Sequence, residues 1–327
     1  MNANHSEETF MLSAKDISGL MAMMPAFATE DAADYRKTST IDVDNMRTGL
    51  DRMISDGANV ISTTGSFGEF HTLLMDEFKT LAHEAAKIVN KRVPLFIGVT
   101  SIHTREVMEK CRIVSETGAD GILVGVPFYF PSTVDNAVRF FKDIGDAFPK
   151  LNIMIYHNPA LHNVKIPVEA FKRITDNPAV VAMKDSHRSA EELQNLMGVI
   201  RGKMSVMVNQ NQIAEYAAYG AAGFWSIDAW MGPWPQLALR EAIRAGDISR
   251  AEAITADLRA QRDGGAPNLS WRETASKIGV RMAGYVDPGP LRPPFIEIPD
   301  EIIEKQRIRV AYWKTLCEKY RPKVAAE

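Results

Sequence analysis

One lysine in this sequence stands where a solvated lysine has little reason to be. Lys184 directly continues the apolar run Val180-Val181-Ala182-Met183. Whatever buries that run therefore carries an amine to its edge. An amine taken partly out of water gives up its proton more easily, and the neutral form can attack a carbonyl to make a Schiff base. The competing reading is an ordinary lysine that pairs with Asp185 or snorkels to solvent. Tyr156 ends another apolar run, 28 positions earlier. A phenol beside such an amine can shuttle protons, although a tyrosine at a strand end also serves as a core residue with a satisfied hydroxyl. A third segment, Thr63-Thr64-Gly65-Ser66-Phe67-Gly68-Glu69, offers hydroxyls and several backbone N–H groups in a glycine-bounded turn. That pattern suits a carboxylate. It also suits a plain strand-to-helix turn in which Ser66 or Thr72 caps the next helix.

These residues need a scaffold that brings chain-distant strand ends together. Eight short β-branched or apolar runs recur along the chain: Gly19 to Met24, Asn59 to Thr64, Val93 to Thr100, Gly121 to Val126, Asn152 to Tyr156, Val180 to Met183, Met204 to Val208 and Ala222 to Ile227. Between them apolar residues follow helical spacing, as in Met46, Leu50, Met53 and Ile54. Gly57, Gly118 and Gly220 close helical stretches just before the next run. Eight near-continuous apolar strands alternating with helices fit an α/β fold of the closed (β/α)8 barrel type, whose usual size is roughly 250 residues. A doubly wound open sheet is the alternative, but its G-x-G-x-x-G fingerprint is missing. The expected organisation is an N-terminal segment over 1–15, a barrel over 16–229 and a helical C-terminal extension over 230–327, packed on the barrel. In such a barrel the strand ends converge on one mouth. There the sequence places Pro127, Phe128 and Tyr129, then Tyr156, His157 and Asn158, Lys184 and Asp185, Asn209 and Gln210, and Ser226 and Asp228.

Composition removes several function classes. The 327 residues carry 38 basic and 41 acidic side chains, a net charge of −3, which gives no electrostatic reason to expect nucleic acid or a membrane surface as partner. No apolar run approaches the ~18 residues of a membrane span, and the first eleven residues are too polar and acidic for a signal peptide. The two cysteines, Cys111 and Cys317, cannot form a disulfide framework, so a cytoplasmic protein is expected. His71, His83, His103, His157, His162 and His187 are scattered, and none makes an H-x-x-x-H pair. No metal site and no cofactor are expected.

Gly65-Ser66-Phe67-Gly68-Glu69, Tyr156-His157-Asn158-Pro159 and Lys184-Asp185 resemble the signature blocks of the dihydrodipicolinate synthase and N-acetylneuraminate lyase superfamily of pyruvate-type class I aldolases. Within it the first block, Trp225-Ser226-Ile227-Asp228 and Leu291-Arg292-Pro293-Pro294-Phe295 are most similar to the hydratase-aldolases of polycyclic aromatic degradation. Those lyases convert benzylidenepyruvates to an aromatic aldehyde and pyruvate. The resemblance implies that Lys184 is the Schiff-base lysine and Tyr156 the proton shuttle. It implies a pyruvoyl-carboxylate site at Gly65 and Ser66, with Phe67, Tyr129, His157, Asn158, Asn209 and Trp225 as further substrate-binding candidates. A homo-oligomer, tetramer or trimer, is also implied. Phe67 replaces the second Thr of the synthases, and Leu161 stands where they carry an Arg. Both losses weaken a dicarboxylic substrate and favour an aryl one. With His157, His71 and Arg188 as donors to a ring carboxylate, the expected substrate is 2-carboxybenzylidenepyruvate. The alternatives are the 2-hydroxyl compound, another 2-keto-acid aldolase or synthase, and a keto-acid-binding barrel without catalysis.

Overall fold

The structure is a computed structural model, and it describes residues 11–185, 187–260 and 269–322. Most of the 1–15 segment and the Gly- and Pro-rich stretch over 263–267 therefore lie outside the described residues. Eight parallel strands close on themselves in sequence order: β1 (Gly19–Met23), β2 (Val60–Ser62), β3 (Leu95–Gly98), β4 (Gly121–Val124), β5 (Asn152–His157), β6 (Val180–Asp185), β7 (Ser205–Asn209) and β8 (Gly223–Ser226), with β1 paired to both β2 and β8. All eight apolar runs thus become strands. Every strand residue is buried except Gly19 and Trp225. Cover on both faces is the physical reason the runs show no alternation.

The outer layer is built from α1 (Val43–Asp56), α2 (Met75–Val89), α3 (Thr104–Ser115), α4 (Val134–Ala147), α5 (Pro159–His162), α6 (Phe171–Ile174), α7 (Ala190–Ile200), α8 (Ile213–Tyr216) and α9 (Trp234–Arg244). Met46, Leu50 and Met53 of α1 are fully buried, as their spacing requires. Gly57, Gly118 and Gly220 all take positive φ at helix exits, the conformation that glycine adopts without Cβ strain. Helix α9 packs on β1, and Arg240 on it donates to Asn59 Oδ1 at 2.8 Å. It occupies the place of an outer barrel helix, so the barrel unit runs past 229 to Arg244.

Three further helices follow, α10 (Ile248–Arg259), α11 (Leu269–Ala283) and α12 (Asp300–Tyr320). Helix α12 packs on α11 and α9, and its Trp313 donates to the Gly232 carbonyl at 3.1 Å. Arg309 of α12 pairs with Asp228 just beyond β8, fixing the extension to that edge of the barrel. Among the described residues no helix is long and apolar enough to cross a membrane.

Candidate active site

The ladder between β5 and β6 is irregular at one step. Ile153 pairs with Val180, yet Met154 pairs with Ala182, so Val181 is an extra residue on β6. From there on the register runs Ile155 to Met183 and Tyr156 to Lys184. Paired residues of neighbouring strands face the same side, so this bulge aims the lysine and the tyrosine together. Lys184 is buried, with Nζ 4.2 Å from the Tyr156 ring centroid and 3.8 Å from that of Trp225. Two π-faces hold the amine where a carboxylate would hold a structural lysine.

Asp185 is occupied elsewhere. Its Oδ2 lies 2.8 Å from Arg188 Nε and 3.3 Å from His157 Nδ1, all three side chains being buried. Burial pushes the Asp185 carboxyl up, but His157, Arg188 and the His187 amide more than offset this and hold it at about 2. The Ile166 amide donates to His157 Nε2 at 3.2 Å, which leaves the ring proton on Nδ1, facing the carboxylate. Asp185 in turn accepts, through its backbone carbonyl, the indole N–H of Trp225 at 3.3 Å. The backbone of Asp185 thereby orients the indole that covers the amine.

The Tyr156 hydroxyl lies 3.0 Å from Ser66 Oγ and accepts from Asn158 Nδ2 at 3.3 Å. Asn158 Oδ1 is 3.0 Å from His187 Nε2. Ser66 is therefore a partner of the phenol and not a helix cap. Helix α2 begins only at Met75, with the Glu77 carboxylate taking the Leu74 amide at 2.9 Å. Thr64 and Glu69, at the ends of the turn, take φ of 43° and 51°, unusual for residues with a Cβ and costly for a β-branched one. A Cβ at Gly68 would lie 2.6 Å from the Thr64 amide nitrogen, and only glycine lets the turn fold back so closely. The amides of Ser66 and Phe67 donate to no protein group among the described residues. His162 stands edge-on to the Tyr156 ring at 4.9 Å, and burial, then the Lys184 charge, push its pKa down to about 4.

Lys184, Tyr156, Ser66, Phe67, Asn158 and Trp225 line one cavity of about 630 Å³. Phe70, Phe128, Leu161, Phe295 and Ile227 make its apolar wall, with His71, His162, His187 and Thr274 as further polar groups. Burial lowers the pKa of His71. Gly65 gives room at the turn, since a Cβ there would meet the Met23 side chain at 3.2 Å. Four expectations need correction. His157 does not reach the cavity, because Asp185 and the Ile166 amide claim both ring nitrogens. Arg188 is likewise turned to Asp185 and to the Ile166 carbonyl, 2.7 Å away. Asn209 caps its own loop, accepting from the Asn211 amide at 2.9 Å. Tyr129 is 72% exposed and meets Phe130 edge to face outside the cavity. Among the described residues no three His, Cys, Asp or Glu side chains are grouped to hold a metal ion.

Sequence reasoning missed one cluster beside the cavity. Glu69, last residue of the turn, is buried with Lys277 of α11 at 2.6 Å and Arg292 at 2.9 Å. Burial lowers the Lys277 pKa to about 8. A lysine at helical spacing and an arginine among prolines gave no local sign of meeting.

The dihydrodipicolinate synthetase family model matches residues 24–310. The chain belongs to this family. A trans-O-hydroxybenzylidenepyruvate hydratase-aldolase of Pseudomonas aeruginosa is 31% identical over 97% of this chain and 98% of its own. A trans-2'-carboxybenzalpyruvate hydratase-aldolase of Nocardioides sp. (strain KP7) is 24% identical over 94% of this chain and 96% of its own. Among solved structures, PhdJ bound to a substrate intermediate superposes with a TM-score of 0.88 at 28% identity, over 94% of this chain and 99% of that one. This family member is thus an enzyme, an aldolase-type lyase, and the reading as a binding barrel without catalysis is set aside.

Proposed function

We propose that the enzyme is a hydratase-aldolase that cleaves an aryl-substituted 2-oxobut-3-enoate, with water, to an aromatic aldehyde and pyruvate. The observation that carries this reading is a lysine amine held between two aromatic rings, unpaired with any carboxylate among the described residues, inside a largely apolar cavity. Lys184 attacks the 2-keto carbon, and loss of water leaves a protonated imine. That cation draws electrons through the conjugated double bond, so water adds at the benzylic carbon. The resulting enamine takes a proton at the carbon between. Tyr156 then accepts the proton of the new hydroxyl, with Ser66 and Asn158 fixing its oxygen. The carbon–carbon bond breaks, the aldehyde leaves, and the second enamine is protonated and hydrolysed to pyruvate and free lysine. One electron sink serves both steps without a cofactor. The amides of Ser66 and Phe67 are suited to the substrate carboxylate.

The cavity supports a neutral ring substituent. Two of the three donors expected for a ring carboxylate, His157 and Arg188, are spent on Asp185. The third, His71, lines the cavity with its pKa lowered by burial. Burial thus disfavours the charged form of His71 that a ring carboxylate beside it would need. The 2-hydroxyl compound fits better, with 2-hydroxybenzaldehyde and pyruvate as products. The test is a series of arylidene-pyruvates followed by loss of conjugated ultraviolet absorbance, with the aldehyde identified. Turnover of 4-hydroxy-2-keto acids alone would replace this reading by a plain aldolase.

A further inference from the structure

The two ends of the cavity come from different parts of the fold. Ser66 and Phe67, at the end that holds Lys184 and Tyr156, sit on the turn after β2. Thr274 and Phe295, on the wall away from the barrel strands, belong to the C-terminal extension. Glu69 follows Phe67 by two residues. Its carboxylate is gripped by Lys277, one helical turn after Thr274, and by Arg292, whose carbonyl accepts the Phe295 amide at 3.1 Å. One buried carboxylate therefore touches the chain next to both ends.

The grip has no slack. Lys277 spends its donors on Glu69 Oε2 at 2.6 Å, the Pro290 carbonyl at 2.7 Å and the Ala26 carbonyl at 3.1 Å. Arg292 donates from Nε to Thr40 Oγ1, from Nη1 to Glu69 and Ala26, and from Nη2 to the Phe27 and Thr40 carbonyls, at 2.8 to 3.2 Å. Every N–H of both cations is used. Thr40 also binds Glu77, so two carboxylates face two cations in the same buried region. Such networks contribute little net stability compared with well-packed apolar residues, because desolvation offsets their attraction. Their particular strength is a single fixed geometry.

Given the benzylidenepyruvate reading of the cavity, on which this rests, we propose that Glu69 is a positioning residue that sets the spacing between the pyruvoyl end and the aryl wall. It touches no substrate atom. Its loss lets the turn and the extension drift relative to each other, which harms a substrate that must fill both and spares one that fills only the first.

The test compares the wild type and Glu69→Gln on an arylidene-pyruvate and on 4-hydroxy-2-oxopentanoate, which splits to acetaldehyde and pyruvate and has no ring. Misplacement by ~1 Å can cost about 10²-fold, and that is the expected fall in kcat/KM for the aryl compound, against a change of less than about threefold for the small one. Borohydride trapping of pyruvate should persist in the variant. A merely structural role lowers Tm and both activities together, and an unchanged ratio between the two substrates overturns the proposal. Phe295→Ala combined with Glu69→Gln should lose less than the product of the single losses, since both act on one wall; independent losses also overturn it. Should Glu69→Gln not fold, Lys277→Met, which keeps Glu69 paired with Arg292, is measured by the same ratio. A wild type that turns over no aryl substrate refutes the functional reading instead.

Discussion

Tyr156 and Lys184 are paired across β5 and β6, and the lysine Nζ lies 4.2 Å from the centre of the phenol ring. The amine therefore approaches the face of the ring while the hydroxyl points on to Ser66, 3.0 Å away. In the proposed mechanism one residue would present a π-surface to the nucleophile and a proton-transfer group to the substrate. Nucleophile and shuttle thus have separable tests.

Borohydride with pyruvate should add one three-carbon unit, and peptide mapping should find it on Lys184. Lys184→Ala should lose the adduct and all turnover. An adduct on Lys277, the other deeply buried lysine near the cavity, would mean that the wrong amine has been assigned.

Tyr156→Phe keeps the ring over the amine and removes the hydroxyl. A lost general acid–base group typically lowers kcat by about 10² to 10⁴-fold, and imine trapping should survive. Near-normal kcat would reduce Tyr156 to a packing residue.

Ring preference can be read from kcat/KM for the 2-hydroxyl, 2-carboxyl and unsubstituted compounds. The 2-hydroxyl compound is expected to lead. His157→Ala should not alter the order, because that ring faces Asp185 and not the cavity. A wild type that prefers the carboxyl compound would restore the expectation drawn from sequence.

His162 sets a pH window for stability. Its folded pKa is about 4 against an ordinary 6.5, so between those values the unfolded chain binds a proton that the folded one refuses. Stability from this group is complete above pH 6.5 and falls as the pH drops to about 4, by about 3 kcal/mol in all. His162→Phe should flatten that part of the curve in denaturant titrations at several pH values. A variant with the wild-type slope would show that other groups carry the acid sensitivity.

Strand positions were legible because covering both faces leaves uninterrupted apolar runs, and Lys184 stood out by closing one of them. The same uniformity hid the extra residue at Val181, since Val180, Val181, Ala182 and Met183 show no alternation from which to read a register. Exposed and enclosed aromatics also look alike in sequence: Phe128 lines the cavity, whereas Phe130 is 75% exposed. His157 was misread because its partners, Asp185 and the Ile166 amide, are a strand and a loop away. Side-chain orientation at a strand end depends on neighbours that spacing alone does not reveal.

The irregular step between β5 and β6 makes the facing of Lys184 a matter of counting. In an unbroken ladder continuing from Ile153 and Val180, Tyr156 would stand opposite Met183. A thioether would then occupy the mouth, and Lys184 would point outward to the helical layer. Removing Val181 would make the ladder regular with Lys184 still opposite Tyr156, whereas keeping Val181 without the irregular step would shift the later part of β6 by one place, which inverts its faces. The direction in which Lys184 points thus depends on one extra residue being absorbed in the ladder as much as on the residues that strand contains.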